Sequence, residues 1–529
     1  MTAVEAGESF QADVLIIGGG LSGTWAAVAA AREGASVILA DKGYCGTSGV
    51  AAPAGPGHWW VPPDADLRAQ AIERKYAISG GLADREWMAQ ILDCTWRTLP
   101  TLAPYYDFPK DEHGVTQFRA LRGPEYLRAM RALVGDHGVI ILDHSPALEL
   151  LQRADGSIAG ARGRRRQLHR PWTVRAGAVI LATGGYAFKS RLLGGQNNTG
   201  DGHLMAAEAG AEFSGLEFSN FYSIAPARTT MTRTMSYAFA RYFDADGREL
   251  DIAPGPDNSR DLGRALLRGP LFCRLDRMPG DIRARLSRIS PNVPLVFDRL
   301  GVDPFVDRFE VTLTAEGTVR GSGGLRIVDE NCATCVSGLF ACGDVATREW
   351  VTGAASGGGA INSSWALSSG QWAGRAAAKL AKRSGHRAAE AAHATGRAGL
   401  CPTGRARDLS PSEIVREAQR EILPYDKNLF RRAATMSASL TRLDGLWDAV
   451  KEGLAPAGDG AVAAREAAAV VAAARWTHEA ALARGESRGM HVREDAPGQV
   501  PDLARRLILA GLDAPRAHFE AERVPETAL

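Results

Sequence analysis

Two short runs near the start of the chain, Asp13-Val-Leu-Ile-Ile17 and Ser36-Val-Ile-Leu-Ala40, are apolar at nearly every position, the pattern of strands buried on both faces of a parallel sheet. Residues 24–33 between them present an apolar face of small side chains and read as a helix, which Gly34 ends. Strand, helix and strand in this order predict a βαβ unit. Ala178-Val-Ile-Leu-Ala-Thr-Gly-Gly185 reads as a strand running into a glycine turn. Asn198-Thr-Gly-Asp-Gly-His203 opens a helix over 204–209, and Gly338-Leu-Phe-Ala-Cys-Gly-Asp-Val345 is a strand ending in Gly-Asp. Further on, Ser410-Pro411-Ser412-Glu413 has the form of a capping box with proline at the first helical position; helices follow it, one of them over 461–484.

The turn after the first run carries chemistry. Gly18-Gly19-Gly20-Leu21-Ser22-Gly23 places GxGxxG between a strand and a helix, and Asp41 closes the second strand. Such glycines allow a tight turn and let a pyrophosphate approach the helix N-terminus, where free N–H groups and the dipole favour an anion. The acid can accept hydrogen bonds from ribose hydroxyls. All these parts in order predict a dinucleotide site, without separating FAD from NAD.

Composition narrows the classes. A chain of 529 residues has room for two to four domains, and 45% hydrophobic with 23% charged residues predicts sizeable cores and not disorder. Glycine, at 59 residues, exceeds the usual ~7%, an excess that serves either flexible linkers or tight backbone work around a ligand. With 62 Lys+Arg against 60 Asp+Glu the net charge is +2, and no long basic face points to nucleic acid. The stretch Arg162-Gly-Arg-Arg-Arg166 reads as a solvated hairpin. Seven cysteines make no disulfide scaffold, and Cys332-Ala-Thr-Cys335 lacks the second pair a metal site needs, so no metal is expected. No basic-then-apolar leader opens the chain. The longest apolar candidate, 461–474, is broken by Arg465 and Glu466, so the expectation is a cytoplasmic protein without a membrane span.

With the N-terminal fingerprint, the three later segments resemble the fumarate reductase and succinate dehydrogenase flavoprotein family, which includes L-aspartate oxidase and the adenylylsulfate reductase flavoprotein. The resemblance implies an α/β fold: a Rossmann-like FAD-binding domain with an inserted α+β capping domain and a helical C-terminal domain. The domains expected are 1–221 and 316–385 for FAD, 222–315 for the cap, 386–409 for a polar, mobile linker and 410–529 for the helical domain. Arg484-Gly-Glu-Ser-Arg-Gly-Met-His-Val-Arg-Glu-Asp-Ala-Pro497 resembles the signature of members with that tail, and is read as a buried ion network joining it to the flavin domain. The implied FAD ligands are Gly18, Gly20, Leu21, Ser22 and Gly23 at the turn, Asp41 and Lys42 after the second strand, Ser48, Gly49 and Ala147. The later motifs add Ala182, Thr183, Gly184, Asn198, Thr199, Asp201, Gly343, Asp344 and Ser356. The family's covalent attachment lies in Ser-His-Thr; here Ser48-Gly49-Val50 stands instead, which implies non-covalent FAD, although Cys45 is near.

In dicarboxylate-reducing members an arginine in Ser-Arg-Asp exchanges the proton while flavin N5 exchanges the hydride. The matching group here is Arg260, with Asp261 beside it; the alternative is a helix-start ion pair. Three family ligands are replaced: two histidines by Tyr222 and Val319, and a carboxylate-binding arginine by Ser356, while Arg320 could still grip one anionic group. His58-Trp59-Trp60, Trp350 and Tyr222 suggest an aromatic pocket for a larger substrate, or else core packing. The catalytic set is thus Arg260, Asp261, Tyr222 and Arg320. The function expected is an FAD-dependent oxidoreductase acting on a C–C or C–N bond of an uncommon, non-dicarboxylate metabolite. The alternatives are the flavoprotein subunit of an electron-transfer complex with an iron–sulfur partner, and a flavin-binding protein without turnover.

Overall fold

The structure, a computed structural model, describes residues 7–119, 121–232, 234–255, 258–385, 390–405, 407–455 and 458–521. The first apolar run extends backwards into a ten-residue strand, Glu8–Ile17, with Val37–Ala40 and Arg170–Leu181 parallel to it on either side. Val14, Leu15 and Ile16 have no exposed surface, as a central strand covered on both faces requires. Leu339–Ala341 lies parallel to the end of Arg170–Leu181, and Ile140–Leu142 extends the other side beyond Val37–Ala40. The sheet is finished by antiparallel strands, Ile158–Arg165, Ala147–Arg153 and Ala392–Ala394. Because the central strands run the same way, their glycine turns open on one edge of the sheet.

The helix Leu21–Arg32 begins directly at the glycine turn, earlier than the apolar pattern indicates, and Leu21 to Ala30 are all buried. It packs on the sheet and against the long helix Gly358–Arg383. Gly370 and Gly374 face the backbone of Ser22 and Ala26, where a Cβ would meet the carbonyls, so the two helices touch main chain to main chain.

A second sheet is wholly antiparallel, in the order Glu249–Leu250, Arg241–Phe243, Leu271–Arg274, Phe309–Gly317, Phe221–Pro226. It encloses its own apolar cluster, including Ile224, Leu262, Leu271 and Leu313, which Leu429 and Phe430 of the C-terminal part complete. The C-terminal helices are Pro411–Ile422, Ala433–Gly453 and Gly460–Ala483; the last is buried along nearly its whole length. Among the described residues no helix is long and apolar enough to cross a membrane.

Local detail departs from expectation at a few places. The 162–166 stretch does end one arm of a hairpin with Arg170–Leu181, but three of its arginines are paired instead of simply solvated: Arg162 with Glu149 (2.9 Å), Arg164 with Asp459 (2.5 Å) and Arg165 with Glu8 (2.8 Å). The described part of the 386–409 stretch makes defined contacts with the FAD-binding region. Ala392–Ala394 adds a strand, and Glu208 accepts the Arg397 and Ala398 amides (2.9 and 3.1 Å); residues 386–389 and 406 lie outside the described residues. Ser410 does precede the helix, but its hydroxyl lies 3.0 Å from that of Ser412 and caps no backbone N–H.

The 484–497 signature forms a buried network. Arg484, fully enclosed, donates to Glu217 (2.7 Å), Glu486 (3.0 Å) and the Leu503 and Arg505 carbonyls. Arg488 grips Glu486 and reaches the Gly80 carbonyl (2.5 Å); Arg431 donates to the Glu217 carbonyl (2.6 Å). Removing one member of a buried pair leaves an uncompensated charge, which costs about 3–5 kcal/mol. Arg484→Met is therefore expected to lower the thermal midpoint of the FAD-loaded protein by many degrees; an unchanged midpoint would show that Glu217 is reached by water.

Candidate functional site

At the glycine-turn edge of the main sheet lies a cavity of about 480 Å3, walled on one side by the three turns and on the other by Thr232, Ser236 and Ser290 of the second-sheet region. Three glycines of the first turn do different work. Gly18 has φ +115°, and a Cβ on it would strike the Ala182 carbonyl; a Cβ on Gly23 would strike the Gly18 carbonyl. Both are demanded by packing. Gly20 lines the cavity, and a Cβ there would meet nothing nearer than the Ser48 carbonyl at 3.8 Å. Its open side is the cavity itself.

The helix that starts at Leu21 has no acid in its first turn and no side-chain cap, so its first N–H groups are available to an anion. Asp41, at the end of Val37–Ala40, is 4% exposed; it accepts the Ser48 hydroxyl and the Gly43 amide (3.4 Å). Burial raises its pKa, which the bonds from Ser48, Gly43 and Gly19 oppose. Thr183 Oγ1 is buried without a partner. A Cβ-free turn, an uncapped helix end, a buried carboxylate with spare acceptor capacity and an orphaned hydroxyl fit FAD. Pyrophosphate would lie at Gly20 to Ser22, ribose hydroxyls at Asp41 and the ribityl chain at Asp344.

Most of the expected cofactor set lines this cavity: Gly18, Gly20, Leu21, Ser22, Asp41, Lys42, Ser48, Gly49, Ala147, Ala182, Thr183, Gly184, Asn198, Asp201, Gly343 and Asp344. Lys42 is held by Asp201 (2.6 Å) and Glu466 (2.7 Å). Gly23 sits beneath the turn. Thr199 is a buried link that donates to Asp201 (2.7 Å) and accepts from Lys42 (2.9 Å). Ser356 is off the lining and accepts the Gly358 amide (3.3 Å); Gly358, Gly359, Asn362 and Ser363, at the start of the long helix, line the wall instead. Cys45 is fully buried and not among the lining residues, and burial pushes its thiol up to about 12, too high for a nucleophile.

The expected catalytic set is divided. Arg320 lines the cavity, and Val319 beside it does too. Arg260 and Asp261 are exposed on the helix Ser259–Leu266, and Arg260 donates to the Gly489 carbonyl (2.9 Å) instead of facing the cavity. Tyr222 lines a separate cleft beside Tyr425, and its phenol, kept protonated by burial, donates to the Leu423 carbonyl (3.0 Å). The aromatic pocket is not formed. Trp60 stacks on Trp96 (4.2 Å), Trp350 on Trp87 (5.8 Å), and His58 is enclosed, its pKa drawn down to about 3 by burial. These rings pack against one another because a core accepts them without a polar partner for the ring faces.

In their place the structure brings up polar groups that the motifs do not display. Glu316, 3% exposed, lines the cavity with its carboxyl accepting the Ser223 hydroxyl. Arg348, 1% exposed, pairs with Asp344 (2.5 Å) and donates to the carbonyls of Thr318 (2.8 Å), Val319 (2.7 Å) and Gly321, fixing the loop that carries Arg320. The only sequence signal for Arg348 is its place four residues after Asp344. Cys332 is buried and Cys335 exposed, and among the described residues no cluster suits a metal ion.

The two glycines separate cofactor binding from folding. Gly20→Val is expected to give folded protein that lacks FAD, read from the flavin-to-protein absorbance ratio. Gly23→Val is expected to fail to fold. Normal FAD content in Gly20→Val would move the phosphates elsewhere. Acid precipitation of the parent protein should leave the flavin in the supernatant; flavin in the pellet would establish a covalent bond.

A family model described as FAD binding domain matches residues 13–361, and one described as fumarate reductase flavoprotein C-term matches 416–509. L-aspartate oxidase of Streptomyces coelicolor is 27% identical, covering 96% of this chain and 93% of that protein. A fumarate reductase (CoM/CoB) chain of Methanothermobacter marburgensis is 26% identical, covering 95% of this chain and 97% of that one. Among solved structures, E. coli quinol fumarate reductase FrdA superposes with a TM-score of 0.81 at 20% identity over 98% of each chain. Adenylylsulfate reductase of Archaeoglobus fulgidus gives 0.73 at 18%, over 99% of this chain and 98% of that one. Matched by the first model over well more than half its length, the chain belongs to the fumarate reductase and succinate dehydrogenase flavoprotein family of FAD-dependent oxidoreductases.

Proposed function

We propose that this flavoprotein oxidises or reduces a C–C or C–N bond in a metabolite that carries one anionic group, and that Arg320 binds that group. FAD supplies hydride exchange at N5. The observation that supports this reading is the charge inventory of the cavity. Among its described lining residues the cations are Lys42 and Arg320. Lys42 is already held by Asp201 and Glu466. Arg320 is 26% exposed at the side chain; among the described residues its ion pair is with Glu316, at 3.6 Å, and Asp344 lies near enough to feel its charge, so Arg320 retains donors for a ligand.

A dicarboxylate needs a second fixed cation or donor pair for its other end. The place beside Arg320 is taken by the apolar Val319, 4% exposed, and Tyr222 is turned away into its own cleft. L-aspartate oxidase and fumarate reductase act on four-carbon dicarboxylates; a monoanionic relative of such substrates, saturated or unsaturated beside its anionic group, fits this wall better. Redox turnover closes when an external electron acceptor or donor, O2 or a carrier protein such as an iron–sulfur protein, exchanges electrons with the flavin.

The test is anaerobic mixing of dithionite-reduced, FAD-loaded protein with α,β-unsaturated monocarboxylates and with fumarate. Monocarboxylates are expected to reoxidise the flavin faster. Reoxidation at hundreds per second by millimolar fumarate would overturn the reading. A charge-assisted hydrogen bond contributes about 1.5–3 kcal/mol, so Arg320→Ala is expected to raise KM for the active acid about 10- to 150-fold, with FAD content unchanged.

A further inference from the structure

Strand Phe309–Gly317 pairs with Phe221–Pro226 in regular register from Val311 to Ala315, which opposes Tyr222; the next partner of Phe221 is Gly317, so Glu316 is left over as a bulge. A bulge leaves one residue of a strand without a cross-strand partner. Gly317 has φ +52°, and a Cβ on it would collide with the Tyr186 carbonyl, so glycine is what permits the slip here. The residue left unpaired carries a carboxyl in the cavity wall, 3% exposed, with Oε1 accepting the Ser223 hydroxyl and Oε2 3.6 Å from Arg320 Nε.

We infer that Glu316 is the group that exchanges the substrate proton, a role that Arg260 cannot fill from its exposed position at Gly489. This rests on the redox reading above. In the oxidative direction the substrate gives up a hydride, which FAD accepts when bound, and a proton from the neighbouring carbon or nitrogen, which Oε2 of Glu316 takes up. Two electrons leave with the hydride, the two bonds to hydrogen break, and a C=C or C=N bond forms; reduction returns the same hydride and proton. Arg320 beside it holds the anionic group, so the atom next to that group is brought to Oε2. The charged groups facing Glu316 are Arg320 from the following loop and Asp344 from the third glycine turn, itself bound to Arg348. Burial lifts the carboxyl above the ordinary carboxylate range, with Asp344 adding to the rise and Arg320 and Ser223 opposing it. A carboxyl so placed can change its protonation during turnover, as a general acid and base must.

The experiment needs no known substrate. FAD-loaded protein is reduced electrochemically and followed by infrared difference spectroscopy at several pH values. Reduction places negative charge in the cavity, so wild type is expected to gain a protonated-carboxyl C=O band. The band should vanish in Glu316→Gln and move in Glu316→Asp, with FAD content unchanged; should the glutamine variant not fold, the aspartate shift alone makes the assignment. A band that persists unaltered in these variants, or no band in wild type, overturns the inference. With a monocarboxylate that reoxidises the flavin, Glu316→Gln is expected to lower kcat about 10²–10⁴-fold while KM stays within a few-fold. A lost band with unchanged kcat would also overturn it. Should no monocarboxylate react although the band is present and lost on substitution, the substrate reading fails and the protonation of Glu316 stands.

Discussion

The structure depends on one close contact. The carbonyl of Gly18 lies where a side chain on Gly23 would be, and Gly18 itself leaves no room between its α-carbon and the Ala182 carbonyl. Through that contact the strand Glu8–Ile17, the helix Leu21–Arg32 and the end of Arg170–Leu181 meet main chain to main chain. The helix N-terminus is thereby pressed against the edge of the sheet, and its unpaired N–H groups open into the cavity rather than into bulk water. The long helix Gly358–Arg383 repeats the device at Gly370 and Gly374, and its own N-terminus lines the same cavity. Two helix ends then present partial positive charge to one space, which suits a cofactor with phosphates at one end and an electron-accepting ring at the other.

Buried arginines hold what the glycines leave loose. Arg348 binds Asp344 and three loop carbonyls, and Arg484 binds two glutamates and two carbonyls. A guanidinium has five donors in a fixed fork, so one side chain satisfies several backbone oxygens that a loop could not pair within itself. Enclosing these charges carries a large desolvation cost, and the return is geometric: the loop with Arg320, the turn with Asp344 and the C-terminal segment are held in one arrangement.

The cavity wall that carries Glu316 and Arg320 follows a different logic from the glycine turns. Cofactor residues sit on the ends of central strands and on helix starts, where the backbone sets position. Glu316 and Arg320 sit on a bulged strand and the loop after it, where contacts with distant segments fix the side chains. Tyr222, which pairs with Ala315 just before the slip, is buried against Leu423 and Tyr425 and lines a separate cleft. A polar wall built on Glu316 and Arg320 therefore stands where substitution of aromatic for histidine suggested a flat apolar one.

The sequence by itself determined the flavin half of the protein. Short apolar runs bounded by glycines suit central parallel strands, and glycines at Gly18, Gly20 and Gly23 followed by Asp41 fit a βαβ turn over a dinucleotide. These are local constraints, written in neighbouring residues, and the signature from Arg484 to Pro497 is legible for the same reason. Arg320 was legible beside Val319, but the rest of that wall of the cavity was decided by tertiary structure. Arg260 matches a motif and yet points to Gly489; Trp59, Trp60 and Trp350 look like a pocket and pack as core; Glu316 has no motif and lies in the wall. The arrangement of that region depends on a strand slip, on which helix covers the sheet, and on a contact between residues 93 positions apart, Ser223 and Glu316. None of these leaves a pattern in adjacent residues, because each is a property of how two distant segments pack.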